Sequence, residues 1–194
     1  NPDGTDQFRS VNLLFTGISA TDKFLHIKKS DLEAAASGFN VSQITSVSFI
    51  VDKNTIPQAP GTVIVKTQNL VFTPTVSANS TGPVTDLVSF NTAPGKLDSF
   101  GLISGFNQTS RDQFQFSYDS PDVTLGEFGG AIMVFGATNP ALRPNLNTMA
   151  GNEMIFEVSG VSQLIVSVSD NLVVGQNPDG TDQFRSVNLL FTGI

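Results

Sequence analysis

The chain has 194 residues, no cysteine, a formal net charge of −7 and only 14% charged residues. The lack of cysteine excludes disulfides and thiolate metal sites, and it fits an extracellular setting, where free thiols are a liability. The acidic balance argues against nucleic acid or an anionic membrane surface as a partner. Because no apolar run approaches the roughly 20 residues of a membrane span, we expect no membrane insertion.

Alternation of apolar and polar residues, broken by Gly, Pro, Asn and Asp, predicts short strands along the whole chain. Sixteen Phe against one Tyr and no Trp indicate a core filled by phenylalanine. The pattern predicts an all-β fold, an antiparallel β-sandwich of about eight to ten strands with Ig-like or jelly-roll topology. In chain order, the predicted strands are residues 11–15, 23–28, 46–51, 63–66, 70–73, 84–90, 113–118, 131–135, 154–158, 164–169 and 184–191. The predicted shared core contains Phe49, Phe72, Phe116, Phe135 and Phe156.

One short helix is predicted at residues 31–37. Ser30 is the expected N-cap, Glu33 completes a capping box, and Gly38 supplies the left-handed position at the C-terminus. A helix of this length is expected to plug one end of the sandwich.

The first and last segments of the chain are identical. Residues 1–18, NPDGTDQFRSVNLLFTGI, recur without change as residues 177–194, which gives a period of 176 residues. Diverged strands would not keep the same Arg, Ser and Asn at positions expected to tolerate solvent, so the duplication is recent or experimental. Residues 1–176 therefore form one unit of ordinary single-domain size with a net charge of −6, since each copy carries two Asp and one Arg. Residues 177–194 are the start of a next repeat or a donor strand.

Three explanations of the repeat remain open. The chain is cut from an array of tandem units, or a donor strand was fused to its own acceptor by engineering, or the chain crosses the boundary between neighbours in a fibre. An engineered fusion normally carries a flexible Gly and Ser linker, whereas residues 173–176, VVGQ, lead directly into NPDG. The junction therefore favours the tandem array.

The repeated strand carries apolar side chains on both faces. Val187, Leu189 and Phe191 alternate on one face, while Phe184 and Leu190 lie on the other. Such a strand is an aggregation hazard unless a sheet pairs its edges and covers its faces. We therefore predict that one copy fills an inter-unit or unit-completing place in a sheet, so that units join head to tail. The predicted assembly residues are Phe184, Val187, Leu189 and Phe191 in the second copy, with Val11, Leu13 and Phe15 in the first.

Two acidic segments are candidate calcium sites. Residues 177–182, NPDGTD, lack the spacing of an EF-hand loop and are better explained as a type I turn with Pro178 in second position and Gly180 closing it. Asp119, Asp122 and Glu127 fall in a loop and are expected to form a solvated acidic surface. We expect no metal and no cofactor.

No catalytic constellation stands out. His26 is the only histidine, so a triad would depend wholly on it, and no Gly-x-Ser-x-Gly motif accompanies it. Glu127, Glu153 and Glu157 are candidates for paired carboxylates of glycoside hydrolysis, but Glu153 and Glu157 flank a regular strand, where outward acidic residues are ordinary. We therefore expect no enzyme activity.

A carbohydrate-binding adhesive module is the competing function. Its glycan ligand would bind in terminal loops at residues 57–61, 93–96 or 119–130. The sequence also contains formal N-glycosylation acceptors, which arise readily by chance in a chain rich in Ser, Thr and Asn. They are Asn40, Asn79 and Asn107.

An all-β, acidic, cysteine-free unit that repeats without change and carries a second copy of its first strand resembles tandem-repeat bacterial surface adhesins. The extra strand is similar to the donor strands of fibre subunits such as pilins. The resemblance covers the repeat and the strand pattern and includes no family motif. It implies an extracellular or cell-surface role as a stalk, fibre or matrix component, with copies of the unit as partners in a linear array. No site residue is carried over.

Overall fold

The computed structural model describes residues 11–15, 24–52, 55, 60–70, 96–101, 103–109, 112–119, 128–136, 140–176, 180, 182–192 and 194. These residues form eleven strands, one α-helix and two 3-10 helices. The strands are β1 Val11–Phe15, β2 Phe24–Lys28, β3 Ser46–Asp52, β4 Gly61–Thr67, β5 Lys96–Gly101, β6 Gly105–Gln108, β7 Gln113–Tyr118, β8 Phe128–Val134, β9 Glu153–Ser159, β10 Gln163–Gln176 and β11 Asp182–Thr192. The helix α1 is Lys29–Ala35, and the 3-10 helices are Pro140–Leu142 and Ala150–Asn152.

The strands form two sheets. The six-stranded sheet has the order β1-β11-β10-β3-β8-β5, and the five-stranded sheet has the order β2-β9-β4-β7-β6. Every pairing is antiparallel except that of β1 with β11, which is parallel. The prediction of an all-β antiparallel sandwich with one short helix is confirmed, although the described strands outnumber the eight to ten expected.

Phenylalanine rings join the two sheets. Phe49 of β3 meets Phe114 of β7 and Phe156 of β9 edge to face, with ring centroids 5.7 and 5.0 Å apart. Such edge-to-face pairs add stabilisation beyond the apolar area that they bury. Phe116 and Phe135 are also buried, so four of the five predicted core phenylalanines lie in the core, and the fifth, Phe72, lies outside the described residues.

The helix begins two residues earlier than predicted. Its N-cap is Lys28, which has extended backbone angles and makes no side-chain capping bond, because β2 runs directly into the helix without a loop. Ser30 therefore lies inside the first turn, and Glu33 approaches Lys29 at 3.7 Å instead of reaching back to a cap. Gly38 has the predicted left-handed conformation, with a φ of +73°, but the helix ends at Ala35 and its C-cap is Ala36 in an extended conformation, so Gly38 lies beyond the helix terminus. Within the described residues, no helix has the length and apolarity to cross a membrane.

Most predicted strands that the structure describes appear with small shifts of their ends. β10 continues to Gln176, seven residues beyond its predicted end at Ser169. Leu70 lies after a bend and outside any strand, and the rest of that predicted strand, like the strand predicted at 84–90, lies outside the described residues. β5 and β6 were not predicted, because KLDSFG and GFNQ lack a clear apolar alternation.

Candidate assembly site

The second copy of the repeated segment is an inner strand of the larger sheet. β11 pairs antiparallel with β10 on one side and parallel with β1 on the other. Val187, Leu189 and Phe191 are fully buried, whereas Phe184 and Leu190 on the opposite face are partly exposed. The two-faced character of this strand therefore corresponds to one face in the core and one face outside the sandwich.

The first copy lies beside the second at the sheet edge. β1 pairs with β11 in a register that sets each residue against its own duplicate, from Val11 opposite Val187 to Phe15 opposite Phe191. Leu13 is opposite Leu189 in the same ladder. The two copies thus have the same sequence but different places, with β11 inside the sheet and β1 at its edge.

A bulge in β10 interrupts its ladder with β11. Ser169 pairs with Ser186, but the next register pair is Val173 with Phe184, so β10 contains extra residues at this point. Bulges re-aim side chains that regular pairing would direct elsewhere. Here the side chain of Asp170 is fully buried, and its oxygens accept hydrogen bonds from two backbone amides of the bulge and of the segment after α1. These donors are Asn40 N at 2.6 Å and Leu172 N at 3.1 Å.

Arg185 of β11 binds this buried carboxylate. Its Nε donates to the two carboxylate oxygens of Asp170 at 3.3 and 3.1 Å, and its Nη2 donates to one of them as well. Nη1 donates to the carbonyl of Ser37 at 3.3 Å, and Nη2 donates to the carbonyl of Gly38 at 2.7 Å. The guanidinium carbon lies 5.3 Å from the centroid of the Phe39 ring. We call these contacting groups of Ser37, Gly38, Phe39 and Asp170 the arginine socket.

The expectation of a solvent-tolerant position is wrong for Arg185, whereas Ser186 is partly exposed. The side chain of Arg185 is only 18% exposed, and the hydroxyl of Ser186 lies 2.8 Å from that of Ser169. A signal was present in the sequence, because Arg185 stands two residues before Val187 and so belongs to the core-facing row. Its partner Asp170 could not be identified, since the bulge that turns it inward has no clear sequence signature.

β10 and β11 extend beyond the pairing with β3 as a hairpin arm. β3 pairs with β10 only as far as Ser169, whereas the β10–β11 ladder continues to Gln176 opposite Asp182. Leu172, Val173 and Val174 on this arm are 48%, 46% and 57% exposed. The arm ends at the junction between the two copies.

The junction turn is described only in part. Gly180 has a φ of +83°, a left-handed conformation that glycine adopts without strain. Pro178 lies outside the described residues, so the predicted type I turn stays a prediction.

The end of β11 lies at the same end of the sandwich as the start of β2. Thr192 pairs with Gln163 in the larger sheet, and Phe24 pairs with Glu157 in the smaller sheet. Residues 160–162 connect these two regions from β9 to β10, and the amide of Ile194 donates to the carbonyl of Ser162 at 3.2 Å. The C-terminal end of a strand in the place of β11 therefore lies close to the start of β2 of the same unit.

Of the candidate catalytic residues that the structure describes, His26 and Glu153 are in contact, whereas Glu157 has a different partner. Nδ1 of His26 lies 3.0 Å from a carboxylate oxygen of Glu153, on the outer face of the smaller sheet. Glu157 instead accepts a hydrogen bond from the side-chain amide of Gln68 at 3.1 Å. Glu127 lies outside the described residues. The prediction of no enzyme activity is not tested by these contacts.

The calcium and glycan predictions fall largely outside the described residues. Asp119 is exposed, while Asp122 and most of the loops at 57–61, 93–96 and 119–130 are not described. In the part of the chain that is described, no group of three or more His, Asp or Glu side chains is arranged to hold a metal ion.

The formal glycosylation acceptors differ in their surroundings. The side-chain amide of Asn40 donates to Asn171 at 2.9 Å, and its oxygen accepts from the hydroxyl of Ser42 at 2.7 Å. Asn107 is exposed on β6, and Asn79 lies outside the described residues. A glycan on Asn40 would have to displace the bond to Asn171, the residue that follows Asp170.

Comparison of the chain with protein-family models, with curated proteins and with solved structures gave no match.

Proposed function

We propose that this chain belongs to an extracellular structural protein, a repeat or fibre subunit whose units join head to tail through the repeated strand. One observation carries the proposal. A single inner place in the larger sheet, next to β10, fully buries Val187, Leu189 and Phe191, and the chain contains two identical segments able to fill it.

The free energy of burial favours a strand of this sequence in the inner position beside β10. Burial of three large apolar side chains contributes roughly 2 kcal/mol each, before the entropy of ordering the strand is subtracted. The ladder with β10 also satisfies backbone groups that would otherwise face water at an open edge. A unit without the strand would expose both the core and this edge.

The direction of the chain supports head-to-tail linkage. Residues 177–194 have the sequence of a unit's beginning, and here they complete the sheet of the unit that precedes them. In a longer array, the first strand of each unit would complete the unit before it. Neighbouring units would then share a sheet as well as a covalent junction.

Closure of a unit on its own first strand is the main competitor. Only residues 17–23 separate the end of a strand placed like β11 from the start of β2. Such a segment spans roughly 25 Å when extended, and packed sheets are about 10 Å apart, so self-closure is sterically feasible. The deciding experiment must therefore separate exchange between units from closure within one.

Two truncated chains of equal length, residues 19–194 and residues 1–176, distinguish exchange between units from closure within one unit. Residues 19–194 carry the strand only at the C-terminus, where the β10–β11 hairpin fills the sheet, so this chain should be a monomer. Residues 1–176 carry it only at the N-terminus and should form oligomers that lengthen with concentration. Ser10→Cys and Ser169→Cys in the 1–176 chain would record strand insertion, because the duplicate of Ser10 pairs with Ser169.

Light scattering and non-reducing gels give the readout. A ladder of disulfide-linked species from the 1–176 chain, absent when an excess of the 177–194 peptide is added, is the expected result. A 1–176 chain that stays monomeric at every concentration, with only intramolecular disulfide, would refute linkage between units.

The absence of cysteine, the acidic charge and the resemblance to surface adhesins support the extracellular placement. The carbohydrate-binding alternative stays a prediction, since no contact of the described residues favours it.

A further inference from the structure

We propose that the arginine socket is the recognition site for the incoming strand, binding its guanidinium and thereby fixing both the register and the identity of the strand that completes the sheet. The inference rests on the proposed function, because it names the feature by which the exchanged strand is selected. The residue that the socket recognises is Arg185, or its duplicate Arg9 when the first copy lies beside β10.

Apolar alternation alone cannot fix the register of this strand. Its core-facing row reads Arg185, Val187, Leu189 and Phe191, and a slip by two residues keeps the same face toward the core. Such a slip would place Val187 opposite the carboxylate of Asp170. A socket that accepts only a cation at one end of the row penalises the slip and selects one register.

The lining of the socket matches a guanidinium better than other side chains. The carboxylate of Asp170 and the carbonyls of Ser37 and Gly38 are all acceptors, and they receive hydrogen bonds from three different nitrogens of Arg185. A planar group with five donors can satisfy oxygens in several directions, whereas an ammonium is a point charge. The ring of Phe39 adds a face on which a guanidinium can lie.

The socket belongs to the body of the unit and not to the strand. Its groups come from residues 37–39 and from Asp170, all outside the repeated segment. The amides of Asn40 and Leu172 hold the carboxylate independently of Arg185. The acceptor groups are therefore supported before a strand arrives, as expected for a receptor site.

Strand choice is tested in the full chain by competition between the two copies. Ser10→Cys, Ser169→Cys and Ser186→Cys are introduced together, and no native cysteine interferes. The thiol at position 169 then pairs with whichever copy lies beside β10. Peptide mapping distinguishes the copies, because the first continues into ISATDK while the second ends at Ile194.

Arg185→Gln should shift the disulfide from the second copy toward the first by at least about tenfold, since it leaves a buried carboxylate without its cation. Arg9→Gln is the matched control, with the same substitution in the other copy, and should cause no such shift. Arg185→Lys should give an intermediate ratio. Val187→Asp, which disables the second copy by burying a charge, is the positive control for exchange.

The register is tested separately, with Ser169→Cys and Asn188→Cys in the full chain. Ser169 pairs with Ser186, so position 188 is a diagonal neighbour, about 7–8 Å away and beyond disulfide reach. A slip by two would bring the two thiols directly opposite each other. The first copy is disabled by Val11→Asp, the counterpart of Val187→Asp, so that the second copy stays beside β10. In that background we expect the disulfide to be absent when Arg185 is present and to form in the Arg185→Gln chain, with near-UV circular dichroism confirming that the variant is folded.

The outcomes separate the two proposals. If Val187→Asp shifts the disulfide but Arg185→Gln does not, strands exchange without reading the arginine, and the socket inference is overturned. If neither Val187→Asp nor Arg185→Gln shifts the disulfide from the second copy to the first, the copies do not exchange. The proposed function is then refuted, and with it the selection of the strand by the socket. A register that is unchanged by Arg185→Gln would refute the register role whatever the exchange arm gives.

Discussion

Truncation of one leucine in each copy of the repeated strand tests whether the copies are interchangeable. Leu189 is fully buried in β11, and Leu13 is its duplicate in the edge strand β1. A buried Leu→Ala change costs about 3 kcal/mol, within a range of 2–5 kcal/mol set by how far the cavity collapses. For a chain of this size, that loss lowers the melting temperature by about 6–12 °C.

The single and double variants should not add. In Leu189→Ala, the intact first copy can replace the damaged strand beside β10, so the loss should be well below about 3 kcal/mol. Leu13→Ala should have a small effect, because the intact second copy already fills the inner place. The double variant leaves no intact copy and should lose the full amount, more than the sum of the singles.

Urea unfolding with an unchanged m-value would measure these losses. If Leu189→Ala alone shows the full loss and Leu13→Ala adds nothing to it, the first copy cannot replace the second. If even the double variant loses less than about 1 kcal/mol, the burial of this strand contributes little to stability and the energetic basis of the proposal is wrong.

Phe49→Ala should lower the free energy of unfolding by about 3–5 kcal/mol, because Phe49 of the larger sheet packs against Phe114 and Phe156 of the smaller sheet. Phe128→Ala should be close to neutral, because Phe128 is 55% exposed. Chemical unfolding of the two variants measures both effects. Burial raises the pKa of Tyr118 above its usual value of about 10. The neutral hydroxyl therefore stabilises the fold fully below about pH 10, and this stabilisation is lost as the pH rises through the raised pKa. Tyr118→Phe should therefore flatten the alkaline loss of stability, and phenolate absorbance of this single tyrosine reports its titration; equal alkaline slopes in the two proteins would contradict the assignment. Gly160→Ala should destabilise the turn between β9 and β10, since φ is +93° and a Cβ would lie 1.9 Å from the carbonyl oxygen of Thr62; a melting temperature equal to that of the parent would be the contrary result. Exchange of millimolar calcium for chelator should change the melting temperature little, whereas an occupied site would add about 3 kcal/mol at a hundredfold excess over its dissociation constant.

The strands that follow apolar alternation were predictable from sequence. In β3, Val47, Phe49 and Val51 take alternate positions, with Ser46, Ser48 and Ile50 between them, and all three are buried as the period of two requires. β5 escaped prediction because its sequence, KLDSFG, combines charged residues with glycine and gains its strand conformation from pairing with β8. Such tertiary support leaves little local signal.

The arginine socket required the structure. An arginine in an alternating strand looks like an outward polar residue, although Arg185 shares the phase of the apolar row. Asp170 follows a regular strand pattern and looks like the residue that ends it, whereas the chain continues through a bulge to Gln176. The approach of the segment after α1 depends on long-range packing, so the carbonyls of Ser37 and Gly38 could not be assigned a partner from sequence.

The location of both chain connections at one end of the sandwich has a mechanical consequence. In a linked array, tension would enter a unit at Phe24 and leave it at Thr192, which lie at the same end. Pulling there loads the hydrogen bonds of β2 and β11 one after another from their ends, instead of shearing whole ladders at once. We therefore expect these strands to peel at low force, with Phe191 leaving the core first and the arginine socket, at the far end of the row, releasing last.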